Sequence, residues 1–278
     1  MDPLVARKTW RTLEPLHGLV YFAPEADEAF TAIGLRGRMG YFGSRAAAMG
    51  PVTAPVVIAT FYNFNPDLVL EAIPAAWQVA SPATILEARL AAADRALRRV
   101  LPDGAAASPE VAEAADLARR AAEAAAERPA GRPLFAAHAA LPWPDEPLLV
   151  LWHAQTLLRE YRGDAHIAAL VLEGIGPVEA LVTHGATGEA PTPMLQATRA
   201  WPEEAWAAAE ERLRARGLLA ADGTLSDAGG QLRDAIEHRT DVASVDAYEP
   251  LGEDGCERLR SLCRPLSRAV VTAGGLGG

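Results

Sequence analysis

The sequence predicts a mainly α-helical protein with a short two-stranded hairpin set between helices in its C-terminal half. Three observations carry this. Half of the 278 residues are hydrophobic and alanine is used heavily, which is the composition of a helix-rich globular chain rather than a disordered one. Helix-start signals recur in the form of a polar cap followed by proline: Asn65-Pro66, Ser81-Pro82 and Ser108-Pro109. Finally, Trp206 to Thr240 reads WAAAEERLRARGLLAADGTLSDAGGQLRDAIEHRT. A helix there ends at Arg216-Gly217, an apolar pair (Leu218, Leu219) follows, and Asp222-Gly223 makes a tight turn. Thr224 and Leu225 then lead into a long helix capped by Ser226 or Asp227.

Residues 5–34 read as one long helix with a kink at Pro15 or Pro24, broken by Gly34 and Gly37. Residues 38–50 form a compact glycine-bounded segment with a short helix near Ser44. Pro51 and Pro55 frame another helix through 56–64, and Asp67 begins the next, to Trp77. The helix over 83–101 has Ile85, Leu86, Leu90, Leu97 and Leu101 at helical spacing. Ser108 opens an alanine-rich helix to about Arg128. The proline-rich stretch 129–147 is irregular. The expected organisation is therefore a helical domain over 1–130, a connection over 131–147 and a second domain over 148–278. In the second domain a helix covers 148–161, Gly163-Asp164 ends it and caps the next (165–174), and Gly176-Pro177 precedes 178–186. Residues 187–200 form a loop. The final helix covers roughly 252–273 with a kink at Pro265, and the terminal GGLGG reads as a frayed tail.

A helix, a hairpin and a long helix in this order are the layout of a winged helix. LRARGLLAADGTLSDAGGQLRDAI resembles the recurring pattern of MarR-type winged-helix proteins, with Ser226 where threonine is usual. GYFGSRAAAMG (40–50), FYNF (61–64) and LWHAQTLLREYRGDAHIAAL (151–170) extend the resemblance over nearly the full length, to an actinobacterial helix-turn-helix family of MarR relatives. The resemblance implies a mainly α fold with a MarR-like winged-helix C-terminal half on a helical N-terminal half. It also implies a homodimer built from the first and last helices. It carries no established reaction.

Charge argues against the DNA reading that such a layout suggests. The net charge is −10 and Lys8 is the only lysine, which opposes general attraction to phosphate backbones. The helix in the recognition position carries Glu203, Glu204, Glu210 and Glu211 against Arg212, Arg214 and Arg216, and the hairpin tip (220–223) has no arginine. Those three arginines are the only DNA-contact candidates, and DNA reading is disfavoured.

Two clusters could hold a small molecule instead. Trp152, His153, Arg159, Arg162, Asp164 and His166 supply bidentate anion binding through arginine and acid–base chemistry through histidine. His153, Asp164 and His166 are the catalytic candidates. Tyr41, Ser44, Arg45, Phe61, Tyr62 and Asn63 suit an apolar pocket with polar anchors, in a chain with only 6% aromatics. Their bland alternatives are an Asp164 helix cap paired with arginine and an aromatic core patch. His17, His138, His184 and His238 make no metal-binding pair, so no metal site is expected, and no motif indicates a cofactor. Cys256 and Cys263 lie too far apart along a helix to pair, which suits a reducing cytoplasm. No apolar run reaches membrane-spanning length. The expected function is a small-molecule-binding winged-helix protein with its ligand between the two halves. The alternatives are a ligand-responsive MarR-type transcription regulator and an enzyme of specialised metabolism on the same scaffold.

Overall fold

The computed structural model describes residues 1–274, and within them the chain is built from helices and turns. The first half contains α1 (Pro3–Gly18), a 3-10 turn at Leu19–Tyr21, α2 (Pro24–Ala32), α3 (Arg38–Ala46), α4 (Ala54–Phe61), α5 (Pro66–Ala72), α6 (Ala75–Val79), α7 (Pro82–Val100) and α8 (Pro109–Ala126). Then come α9 (Pro133–Ala139), α10 (Pro147–Leu172), α11 (Pro177–Ala186), α12 (Thr192–Arg199), α13 (Glu203–Ala215), α14 (Asp227–Val242), α15 (Val245–Tyr248) and α16 (Gly252–Thr272). The caps are those the local chemistry selects. Asp2, Asn65, Ser81, Ser108 and Ser226 each accept a backbone N–H at their helix start, satisfying donors the helix itself leaves open.

Two apolar cores organise these helices. The larger takes α1 to α9, the N-terminal part of α10 through Tyr161, and α15 and α16. On α8 the buried stripe is almost all alanine (Ala114, Ala118, Ala121, Ala122, Ala125), and these small side chains let α10 pack closely along it. The smaller core joins Ala169 and Leu170 of α10 to Leu181 of α11, Trp206 and Leu213 of α13 and Ile236 of α14. One helix thus runs from core to core. At 1.5 Å per residue, α10 spans roughly 39 Å.

The two-stranded wing is overturned. Among the described residues there is no strand, only an isolated antiparallel bridge between Leu219 and Leu225. The Asp222 carboxylate takes the Thr224 N–H at 3.0 Å and its hydroxyl at 2.7 Å, closing the turn at once. Ser226 already caps α14, so too few residues remain to extend a ladder. The mainly α character holds. Gly229, in the first turn of α14, lies against this hairpin: a Cβ there would sit 2.1 Å from the Leu218 carbonyl oxygen.

Several element expectations are also corrected. Residues 5–34 do not form one kinked helix, because the 3-10 turn and Pro24 separate α1 from α2, whereas Pro15 is accommodated within α1. Gly163 does not break its helix. α10 continues through it, since a single glycine costs only about 1 kcal/mol in a helix interior and this helix is buried along most of its length. Asp164 is therefore not the cap of a following helix. Its carboxylate instead accepts the Phe135 N–H at 3.0 Å at the start of α9. The supposed irregular stretch and loop contain α9 and α12. Of the terminal GGLGG, residues 275–278 lie outside the described residues.

Candidate functional site

The interior of the larger core holds an unusual density of charge. Tyr21, on the 3-10 turn after α1, is its hub. The guanidinium carbons of Arg45 (α3) and Arg159 (α10) lie 5.5 and 5.6 Å from its ring centre. His17, one helical turn earlier, bonds the Tyr21 hydroxyl at 2.8 Å through Nε2 and the Thr156 hydroxyl at 2.9 Å through Nδ1. Thr156 spends its own proton on the Trp152 carbonyl at 3.0 Å. Nδ1 of His17 must therefore be the donor, and Nε2 accepts from Tyr21. Burial and the surrounding arginines hold His17 well below the usual histidine range, which keeps the ring neutral as this pattern requires.

Arg45 donates to the Tyr41 hydroxyl at 3.0 Å, lies 4.2 Å over the Phe61 ring and reaches Glu160 at 3.8 Å. Arg159 donates to Glu14 at 2.9 Å and to Glu160 at 2.8 Å. Arg89, from the buried face of α7, is 3% exposed and lies 5.0 Å over the Trp152 ring. Arg199, the last residue of α12, lies 4.4 Å over Phe64. Of these four guanidinium groups, Arg45 and Arg159 pair with the carboxylates Glu14 and Glu160, whereas Arg89 and Arg199 rest on aromatic rings. Arg45 Nε, Arg89 Nε and Nη2, and Arg199 Nε are buried without a protein hydrogen-bond partner among the described residues. Burial alone would raise the Glu160 carboxyl and the Tyr41 hydroxyl, but Arg159 and Arg45 at Glu160, and Arg45, Arg199 and Arg159 at Tyr41, outweigh it and hold both low. Burial draws Arg89 below its ordinary value. His138 and His153, buried nearby, are depressed by burial to about 3 and about 4.

The sequence candidates divide. Tyr41, Arg45, Phe61, Trp152 and Arg159 come together around Tyr21. The Ser44 hydroxyl turns back to the Tyr41 carbonyl of its own helix. His153 packs edge-on against Trp143 at 4.9 Å, beside the cluster and under the field of Arg89. Arg162, one turn further along the same side of α10, lies 4.7 Å over the Trp10 ring and donates to Asp241 and Glu237 of α14, both at 2.8 Å. His166 follows it and bonds Thr240 at 3.1 Å. Burial raises Asp164, at α9, to about 6. The Tyr62 hydroxyl donates to the Ile175 carbonyl and the Asn63 carbonyl accepts Trp201 Nε1 at 2.9 Å, so these two join the cores. Sequence reasoning missed Tyr21, Arg89, Glu14, His138 and Arg199 as members of the cluster, whereas Glu160 stands in the polar run 152–166 that the sequence marks out. The one available signal was Arg89, a charged residue on the same helical face as Ile85, Ala92, Ala93 and Ala96.

The DNA candidates are all engaged within the molecule. Arg212 donates to Glu179 at 2.8 Å and Arg214 to Glu210 at 2.8 Å, and Arg216 donates to the carbonyls of Gly174 and Glu173 at 2.8 and 3.1 Å. The exposed residues of α13 are Glu203, Glu204, Ala207, Ala208, Glu211, Arg212, Arg214 and Ala215, so its outer face carries both signs of charge. Cys256 and Cys263 are buried and unpaired. No single helix among the described residues is long and apolar enough to cross a membrane.

The chain matches no curated protein and no solved structure. It does match one family model, over residues 6–277. That span takes in both cores and all the helices that build the arginine cluster, so the match concerns the whole architecture and not the C-terminal segment alone. The chain belongs to a helix-turn-helix family.

Proposed function

We propose that this is a small-molecule-binding helix-turn-helix protein whose ligand is held at the arginine cluster, on the side of α10 that faces α1, α3 and α7. The observation that carries this reading is the set of buried guanidinium nitrogens without partners around Tyr21 and Tyr41. Buried polar groups are nearly always hydrogen-bonded, and each exception asks for a reason. A core built only for stability has no use for them, because replacing buried charges by packed apolar groups is often neutral or stabilising. The cytoplasm suits the two buried, unpaired thiols.

The test is native mass spectrometry of the protein purified from its own host, followed by denaturing release and identification of the adduct. The expected result is a stoichiometric small molecule that disappears in an Arg45→Met, Arg89→Met double variant. A protein of bare polypeptide mass that gains no adduct on incubation with host extract sinks the reading.

Family membership favours a second reading, a ligand-responsive transcription regulator. Such a protein binds its own upstream duplex with a steep salt dependence. On α13 no free arginine faces outward. Duplex retention at low salt in an electrophoretic assay establishes the regulator, and its absence leaves the ligand-binding protein without that role.

A further inference from the structure

We infer that the ligand is an organic oxyanion, a carboxylate or a phosphate on an aromatic or apolar body, with its charged end held between Arg45, Arg89 and Arg159. This rests on the small-molecule reading above and adds the ligand's charge and shape.

The sign follows from a local imbalance. Arg159 is satisfied by Glu14 and Glu160. Glu160 is also the nearest carboxylate to Arg45, at 3.8 Å, so one side chain serves two guanidinium groups. Among the described residues Arg89 has no ion pair, and its contacts are the Tyr21 hydroxyl and the face of Trp152 at 5.0 Å. Arg199 likewise has only Phe64 and the Thr198 hydroxyl. The neighbouring histidines add no charge, because burial keeps His17, His138 and His153 neutral at physiological pH. The protein as a whole is acidic at −10, so this positive interior runs against its overall charge. A cation–π contact returns about 2 kcal/mol when desolvated, whereas the effective desolvation penalty of a buried ion is several kcal/mol. An oxyanion makes up the difference through charge-assisted, bidentate bonds to guanidinium groups.

The body of the ligand follows from what surrounds the charge. Phe61 lies under Arg45 and Phe64 under Arg199, and Tyr41 packs on Phe64 at 5.6 Å. Tyr21, Tyr41 and Arg199 are half-buried, so this side is the one nearest solvent. The Tyr21 hydroxyl proton is committed to His17 and its oxygen faces Arg89, so the donors left for an anion are the guanidinium groups. A neutral ligand would leave Arg89 as it stands and gain nothing from the excess of arginine.

Three probes of one shape test this: benzoate, phenyl phosphate and neutral benzamide, each followed by thermal shift and tryptophan fluorescence at millimolar concentration and matched ionic strength. The expected result is a saturable rise in Tm with benzoate or phenyl phosphate and none with benzamide. Arg45→Met and Arg89→Met should each weaken the effective probe by at least about tenfold, as expected for loss of one charge-assisted bond. Arg98→Met, on the exposed face of α7, should leave it unchanged. Whichever anion prevails separates carboxylate from phosphate ligands. The inference is overturned if benzamide matches the anions, if neither anion acts beyond matched chloride, or if both buried variants bind as the parent does. A neutral compound recovered by native mass spectrometry would overturn the charge assignment while leaving the small-molecule reading standing.

Discussion

Replacing Arg89 by methionine should make the ligand-free protein more stable, not less. The side chain is 3% exposed, its Nε and Nη2 have no protein hydrogen-bond partner, and no carboxylate among the described residues comes within ion-pairing distance. Only the Tyr21 hydroxyl and the more distant Glu160 charge act in its favour. The substitution removes a desolvated charge, a change that is commonly neutral or stabilising by up to about 4 kcal/mol when the replacement packs well. It also removes the cation–π contact with Trp152, worth about 1–2 kcal/mol in a desolvated setting. Methionine keeps the length of the aliphatic stem and is nearly as good a helix former as arginine. The balance is a gain of roughly 1 kcal/mol, hence a rise in Tm of about 2–4 °C for a chain of this size. Urea unfolding of extensively dialysed protein, followed by tryptophan fluorescence, reads it directly. A loss of more than about 2 kcal/mol refutes the reasoning, because it would mean that the guanidinium is a satisfied structural group and that the imbalance at the cluster is not real.

Four further outcomes can be measured. Gly229→Ala should cost about 2–3 kcal/mol, since its Cβ meets the Leu218 carbonyl at 2.1 Å. The neighbouring Gly230→Ala, with nothing within 4 Å, should gain about 0.5–1 kcal/mol, and paired thermal melts compare them. Asp241→Asn should cost about 2–3 kcal/mol in chemical denaturation. Asp241 is buried and accepts from Arg162 at 2.8 Å and Arg7 at 2.7 Å, while Glu237 remains to Arg162 and softens the usual penalty for a stranded buried charge. Stability should fall as the pH drops from about 6.5 towards 4. His138 and His153 are depressed in the fold to about 3 and about 4, so the unfolded chain binds protons that the native one refuses. Each contributes up to about 1.4 kcal/mol per pH unit. Asp164, raised to about 6, acts oppositely: it lends stability below its unfolded value near 4, which is lost as the pH rises through about 6. His138→Gln should flatten the acid limb, and an unchanged pH profile refutes the assignment. Ala200→Gly, at φ 52, should stabilise by about 1 kcal/mol through release of left-handed strain.

What could be read from the chain was local. The caps at Ser81, Ser108 and Ser226 and the alanine stripe of α8 follow from spacing and side-chain chemistry within a few residues, and the structure contains all of them. The errors came where tertiary packing outweighed a local signal. Gly163 looked like a break, yet the buried residues on either side of it, from Leu148 to Leu170, carry α10 through. Asp222-Gly223 did make a turn, but whether a turn seeds a ladder depends on the length of chain on either side, and Ser226 ended it. In the candidate site, Tyr41, Arg45 and Phe61 were legible as a group because they lie within 21 positions on consecutive short helices. Arg89, His138 and Glu160 come from three other helices, and only the packing of α7, α9 and α10 brings them to the same place. Arg159 and Arg162 illustrate the limit. Three residues apart on one side of a helix, they reach different partners one turn apart, and nothing local says which of them meets Tyr21.

The site and the helix-turn-helix segment meet at one strained seam. Tyr62 and Ala200 have φ of 44 and 52, values that residues with a Cβ adopt only at a cost of order 1–3 kcal/mol each. They lie on opposite sides of the junction between the two cores. Asn65 donates through its backbone and side-chain nitrogens to the carbonyls of Arg199 and Ala200, at 3.1 and 2.7 Å. Trp201 bonds the Asn63 carbonyl and Tyr62 reaches Ile175. These bonds hold the strain. On one flank stand Phe61 and Phe64, the rings that carry Arg45 and Arg199; on the other stand α12 and the turn before α11. Anything that draws Arg199 off Phe64 acts on the residue whose carbonyl anchors Asn65. The seam thus ties the two cores together through the backbone of Arg199 and Ala200, directly beside the ring that carries the Arg199 guanidinium.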